Sequence, residues 1–261
     1  MELFFSNESY KKKAMQLATN PTIHYHSAQE AFDLLMGSDY SQNPENWKLH
    51  CINVGRLCGM LADKCGVDSE HARALGYVHD IGRWQIHSFD HTVRGFELLV
   101  DEGWEAEAIG CLTHSFLNGG RCANNENALP DFYVDENGRA CWKDGYQPDD
   151  VGEFLDRYAY TDFDLFLNVA DLMATSKGIV SPMERLNDIA TRREIDPVNR
   201  GYFLAEFTNT LNVLGRRIEQ TDGVGESAFD QNLYFFREGM TIEEITYRLT
   251  AASTAFYKLI C

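Results

Sequence analysis

Histidines and aspartates recur along this chain in an order that could build a metal site: His50, then the pair His79-Asp80, then His91, His114 and Asp171. Each sits in a segment whose apolar spacing reads as helix. An ionisable group on an apolar helix face is costly to bury unless it is paired or bound to a cation. Any one of these residues alone reads as an ordinary core polar group. Several of them, from different helices and converging on one point, would make a metal centre. Imidazole and carboxylate donors suit Fe, Mn, Co, Ni or Zn, and the absence of cysteine from the set weakens the case for a structural zinc site.

The elements that must position these groups are helices. The pattern predicts helices near 3–18, 28–37, 46–65, 69–80, 91–102, 104–117, 150–160, 162–176, 182–193, 197–220 and 241–260. On the third, Trp47, His50, Val54, Leu57, Cys58 and Leu61 share a face, which points His50 toward the core. Ala72, Leu75, Gly76 and His79 share the next, and Leu167, Ala170, Asp171 and Ala174 cluster on another. Capping boxes are expected at Ser27…Glu30, Ser181…Glu184 and Thr241…Glu244. Asp90 is expected to cap the helix of His91, and Gly82 to terminate the helix before it. Gly110, one turn before His114, is expected to let helices approach closely.

The chain has 261 residues and a formal net charge of −17, which argues against broad nucleic-acid binding, since that needs a basic footprint. It leaves an anionic small substrate open, because metal ions can invert the charge logic of one pocket. No apolar run is long enough for a bilayer span, and residues 1–13 carry no secretory h-region, so the expectation is a cytoplasmic protein without membrane contact. Cys51, Cys58 and Cys65 repeat every seven residues along one helix; they read as buried core thiols, and a thiolate metal site would lack its usual spacing. Residues 118–149 break the helical pattern with clustered Asn, Gly and Asp. Within them, Phe132-Tyr133-Val134 and Arg139-Ala140-Cys141-Trp142 flank a turn and read as a small hairpin. This insertion is either a lid over the pocket or a surface excursion. A second irregular stretch covers 221–239. The expected architecture is all-α: a compact helical bundle over 1–195 carrying the insertion 118–149. The C-terminal helices of 196–261 would pack on the same domain or form a homodimer contact.

The motif His50 … Gly76-Tyr77-Val78-His79-Asp80-Ile81-Gly82-Arg83 … Asp171 resembles the H…HD…D signature of the HD-domain metal-dependent phosphohydrolase superfamily. Members typically read L-x-H-D-I-G-[KR] around the dipeptide, and His91-Thr92-Val93-Arg94-Gly95-Phe96-Glu97-Leu98-Leu99 is similar to the family's H-x-x-x-G-x-x-L-L helix. The resemblance covers about residues 46–190 by motif and order. It implies that His50, His79, Asp80 and Asp171 hold one divalent metal. His91 and His114 match the extra histidines of the two-metal subfamilies, in which Asp80 would bridge the ions at ~3.5–4 Å. Fe, Mn, Ni, Co or Zn would fit, with Mg also admitted.

The resemblance implies attack of an activated hydroxide on phosphorus, with cationic side chains clamping the phosphate. The clamp candidates are Arg83, Arg94, Arg121, Lys177 and Arg185, with Arg83 and Lys177 ranked first; each could equally be a solvated charge or a local salt bridge. No G-Y-P triplet follows His114, which separates the chain from the cyclic di-GMP phosphodiesterases, and Ile81-Gly82 stands where guanosine polyphosphate hydrolases carry T-x-E-D. The four-histidine layout is similar to bacterial diadenosine tetraphosphate hydrolases and to the mixed-valent di-iron oxygenases. The expected function is therefore a metal-dependent phosphohydrolase acting on a small phosphorylated molecule such as a nucleotide. A di-iron oxygenase is the alternative, and a domain with a structural or sensing metal is a third.

Overall fold

The computed structural model describes residues 3–21, 24–38, 44–86, 88–117, 122–123, 132–134, 140–142, 149–192, 197–229 and 241–261. Among the described residues it is all-α, with three two-stranded ribbons. The helices run α1 (Glu8–Thr19), α2 (Ala28–Gly37), α3 (Pro44–Lys64), α4 (Ser69–Val78), α5 (His91–Asp101) and α6 (Glu105–Thr113). They continue as α7 (Asp150–Arg157), α8 (Asp162–Asp171), α9 (Pro182–Arg192), α10 (Pro197–Thr221) and α11 (Ile242–Ile260). A 3₁₀ turn, Ile81–Trp84, joins α4 toward α5.

Helix boundaries follow the local chemistry. The boxes at Ser27 and Thr241 form with both reciprocal bonds, and at Ser181 the hydroxyl takes the Glu184 amide. The first helix begins at Glu8 rather than near residue 3. Asn7 caps it by accepting from the amides of Ser9 and Tyr10. The residues before it are held outside the helix by carboxylates: the amides of Leu3, Phe5 and Ser6 donate to Asp149, Asp150 and Glu97. The expected helix 162–176 stops at Asp171. Ala174–Thr175 (β5) instead pairs with Gly178–Ile179 (β6), and Gly178 turns the chain at φ 134°, where side chains are strained. The helix expected to reach 117 ends at Thr113, after which Phe116–Leu117 (β1) pairs with Cys122–Ala123 (β2). The hairpin read at 132–142 is present, with Phe132–Val134 (β3) opposite Ala140–Trp142 (β4). Its turn, the rest of the insertion and any role as a lid lie outside the described residues.

Among the described residues, two apolar clusters form the core. One joins α1, α2, α5, α6 and α7 through Leu17, Leu35, Phe96, Leu99, Leu112 and Phe154. The other joins α3, α8, α10 and α11 through Leu57, Leu61, Phe166, Phe207, Leu214 and Phe256. The C-terminal helices thus share a core with the helices carrying His50 and Asp171. Helix α3 lends residues to both clusters, Trp47 and Cys51 to the first and Val54 to Leu61 to the second, so it runs between them. It crosses α4 at a glycine-to-glycine contact: a Cβ on Gly76 would lie 2.5 Å from the Gly55 Cα. That closeness brings the C-terminal end of α4, and with it His79, against α3. Cys51, Cys58, Cys65 and Cys111 are free and buried, in keeping with core thiols. No helix among the described residues is long and apolar enough to cross a membrane.

One core histidine outside the motif makes stability depend on pH. His71 is buried against the rings of Tyr25 and Phe163, and its Nδ1 has no partner. Burial pushes its imidazole down to about 4 from the usual 6.5, against a smaller opposite pull from Asp68. Above pH 6.5 the ring is neutral folded or unfolded and contributes nothing. Between pH 6.5 and 4 the unfolded chain binds a proton that the folded one refuses, so stability falls as pH falls, by on the order of 3 kcal/mol in all. Urea unfolding of the metal-free protein at pH 7.5 and 4.5 should therefore show a larger loss for the parent than for His71→Leu. Equal losses would mean that His71 carries no such penalty.

Candidate metal centre

The six residues of the motif come together between the two clusters, and five of them sit at helix ends. His79 is the C-cap of α4, Asp80 is the N-cap residue of the 3₁₀ turn, His91 is the first residue of α5, His114 is the C-cap of α6 and Asp171 is the last residue of α8. His50 alone projects from mid-helix. Three groupings have ligand atoms all within 4.8 Å of one another: His50, His79 and Asp80; His79, His114 and Asp171; and Asp80, His91 and His114.

Asp80 stands at the centre. Its Oδ1 lies 2.9 Å from His91 Nε2 and 3.5 Å from His114 Nε2. Its Oδ2 lies 3.8 Å from His79 Nε2 and 2.5 Å from Arg83 Nε. On the other side, Asp171 Oδ1 is 2.9 Å from His50 Nε2 and 3.7 Å from His79 Nε2. Three of the rings are aimed from behind by main-chain carbonyls. His79 Nδ1 is 2.8 Å from the Gly76 oxygen and His91 Nδ1 is 2.7 Å from the Ser88 oxygen. His114 Nδ1 is 3.0 Å from the Cys111 oxygen and 3.2 Å from that of Gly110. A carbonyl can only accept, so each Nδ1 carries the proton, and each Nε2 of a neutral ring presents a lone pair to the centre.

That donor set fits a cation. The Nε2 atoms of His91 and His114 face each other at 3.3 Å, and with both rings neutral and protonated at Nδ1 this sets lone pair against lone pair. His79 Nε2 and Asp80 Oδ1 are buried without a hydrogen-bond partner, which is costly for groups that nothing else satisfies. Burial would raise both carboxyls, but Arg83, His91 and His79 hold Asp80 well below the usual carboxylate range, and His50 and His79 do the same for Asp171. Burial, with His79 beside it, pushes His114 down to about 3, so it stays a neutral ligand at working pH. Burial would also lower His79, but the two carboxylates outweigh it and raise its pKa.

Close backbone contact assembles the Asp80–His91 half. A Cβ on Gly82 would lie 2.0 Å from the His91 carbonyl oxygen and 2.5 Å from the Gly95 nitrogen. Gly82 is therefore not the helix terminator the spacing suggested; its φ is not positive, and it lies within the 3₁₀ turn as a contact surface for α5. Asp90 does not cap α5 either. Its backbone is already helical, and its carboxylate accepts from the Ser88 hydroxyl instead. Gly110 admits the side-chain ends of Leu75 and Leu167, as a close approach requires.

Of the clamp candidates, Arg83 is at the centre, with Nε on Asp80 and Nη2 3.5 Å from His91 Nε2. Lys177 is exposed on the β5–β6 hairpin, which begins three residues after Asp171. Arg94 pairs with Glu97 and Arg185 with Asp188, both local helix salt bridges, and Arg121 lies outside the described residues. The sequence reading missed Asn168 and Asp164, buried polar groups on α8 that hold the end of α6. Their three- and seven-residue offsets from Asp171 along one helix were the available signal.

Residues 49–117 match the family model of the HD domain, so the HD resemblance holds over this segment. The match contains His50, His79, Asp80, His91 and His114, while Asp171 lies beyond it. Ribonuclease Y 2 of Bdellovibrio bacteriovorus is 45% identical over 56 residues, 22% of this chain and 10% of that protein. Ribonuclease Y of Aquifex aeolicus is 34% identical over 92 residues, 34% of this chain and 15% of that protein. The chain thus spans only a small part of the curated relatives it matches. The HD domain of the L. monocytogenes phosphodiesterase PgpH overlaps 97% of this chain and 99% of its own at 15% identity with a TM-score of 0.33, too loose an overlap to bear on the arrangement.

Proposed function

We propose that this chain is a metal-dependent phosphohydrolase that cleaves a phosphoester or phosphoanhydride of a small phosphorylated molecule, with a nucleotide as the expected class. The observation that carries the proposal is the division of Asp80, one oxygen turned to His91 and His114 and the other toward His79 and Arg83. A pair of divalent ions in such a site supplies an acidified water and offsets charge on the phosphoryl oxygens.

The chain's own residues do the rest. His50, His79 and Asp171 would hold one ion and His91 and His114 the other, with Asp80 between them. The carbonyls of Gly76, Ser88 and Cys111 keep the rings aimed, so little reorganisation is needed on binding. Arg83 keeps Asp80 ionised, and the guanidinium nitrogens beyond Nε are its means of meeting a phosphate oxygen. Lys177, exposed on its hairpin, is a second candidate for that contact. A net charge of −17 disfavours a long polyanion, which is why a small substrate is preferred although the matched relatives are named ribonucleases.

Anaerobically prepared protein should contain two ions per chain and release phosphate from nucleotides in a metal-dependent manner. The same donors suit a redox-active iron pair, so an EPR spectrum after partial oxidation belongs with the metal analysis. Two irons with a mixed-valent signal and oxygen uptake without phosphate release would replace this reading by an oxygenase. His91→Ala or His114→Ala should lose one ion and keep the other. Metal content unchanged in both variants would reduce those histidines to supporting roles around a single ion.

A further inference from the structure

We propose that Asn168 is a positioning residue that carries the register between the two halves of the centre, holding His114 opposite Asp80 from the helix that bears Asp171. The inference rests on the two-ion reading above. Asn168 is fully buried on α8, one turn before Asp171. Its Nδ2 donates to the Thr113 carbonyl at 2.9 Å and to the His114 carbonyl at 2.8 Å. These oxygens close α6, where the last carbonyls have no intrahelical donor. The His114 ring is held from inside α6 by the Cys111 and Gly110 carbonyls, while its main chain is held from α8 by Asn168. A shift of α6 along α8 would therefore move His114 relative to Asp171 only by breaking both amide bonds.

Two observations separate this role from ordinary packing. The Asn168 Oδ1 is buried with no hydrogen-bond partner, a cost that an apolar side chain of similar size would avoid; the residue is useful for its two donors. The end of α6 is also tied down independently. Thr113 Oγ1 donates to Asp164 at 2.8 Å, and Tyr160 OH donates to the Phe116 carbonyl at 2.7 Å. Neither of these bonds touches His114. Loss of the Asn168 amide should leave the helix anchored at Thr113 and release the main chain of His114, so that its ring shifts against Asp80.

The test is Co²⁺ titration of the metal-free full chain, followed by the ligand-field spectrum of the bound ion, in the parent, Asn168→Ala and Thr113→Val. The parent should take up two equivalents. In Asn168→Ala the second equivalent should bind about 10-fold or more weakly with an altered spectrum, and the first should be unchanged. Thr113→Val, which loses only the bond to Asp164, should lower Tm and keep both equivalents and the parent spectrum. If Asn168→Ala does not fold, Asn168→Ser, which retains a single donor, is read in the same way. Two equivalents with parental constants and spectrum in the Asn168 variant would overturn the inference. A parent that binds fewer than two equivalents would overturn the two-ion reading and this inference together. A parent that binds two but releases no phosphate would remove the hydrolase and leave Asn168 standing.

Discussion

Asp80→Ala should empty both halves of the centre and lower phosphate release by about 10³-fold or more. The expectation follows from the two faces of one carboxylate: no other side chain among the described residues approaches His91, His114, His79 and Arg83 together. Removing it also takes the paired carboxylate away from the Arg83 guanidinium and the three histidines around it, which opposes the entry of further cations. Asp80→Asn keeps the volume and loses the charge, so it separates the electrostatic loss from a packing loss. Metal content by elemental analysis, with circular dichroism as the check on folding, decides the matter. Two ions retained in a folded Asp80→Ala protein would end the bridging role.

The second large effect is expected at a residue with no side chain. Gly82→Ala would place a methyl group 2.0 Å from the His91 carbonyl oxygen and 2.9 Å from its carbonyl carbon, inside van der Waals contact with main chain that cannot rotate away. Relief requires α5 to move off the 3₁₀ turn, at a cost of about 3 kcal/mol or more. For a chain of this size that corresponds to a fall in Tm of roughly 6–12 °C. The movement carries His91 away from Asp80, so the ion on that side should be lost as well. Gly37→Ala is the control, because it meets nothing within 4 Å, and alanine there should be neutral or slightly stabilising. A Gly82→Ala protein with parental Tm and metal content would show that α5 does not depend on this contact.

Much of the architecture was legible because helix signals are local. The apolar spacing of Trp47, Val54, Leu57 and Leu61 turned His50 inward, and the Ser27 and Thr241 boxes marked their helix starts. Misreadings came where a distant group overruled local preference. The amides of Leu3 and Phe5 were claimed by Asp149 and Asp150, some 145 residues away, so the first helix began late. Residues after Asp171 were apolar enough to continue α8, yet Gly178 and Thr175 turned them into a hairpin. Gly82 and Asp90 carry the residue types of a helix stop and a helix cap, but tertiary contacts gave each another task.

The candidate site divides in the same way. The sequence by itself determined which residues could donate to a metal, because imidazole and carboxylate chemistry and the order His50, His79-Asp80, His91, His114, Asp171 are properties of the chain alone. It also determined the helices that carry them. Only the tertiary structure decided how the donors are shared: that Asp80 faces both ways, that Arg83 sits on Asp80 while Arg94 and Arg185 are tied to their own helices, and that Asn168 holds the main chain of His114. The physical reason is range. A helix is set by bonds between residues four apart, whereas a site between helices is set by the few backbone approaches, Gly55 on Gly76 and Gly82 on His91, that fix how the helices cross.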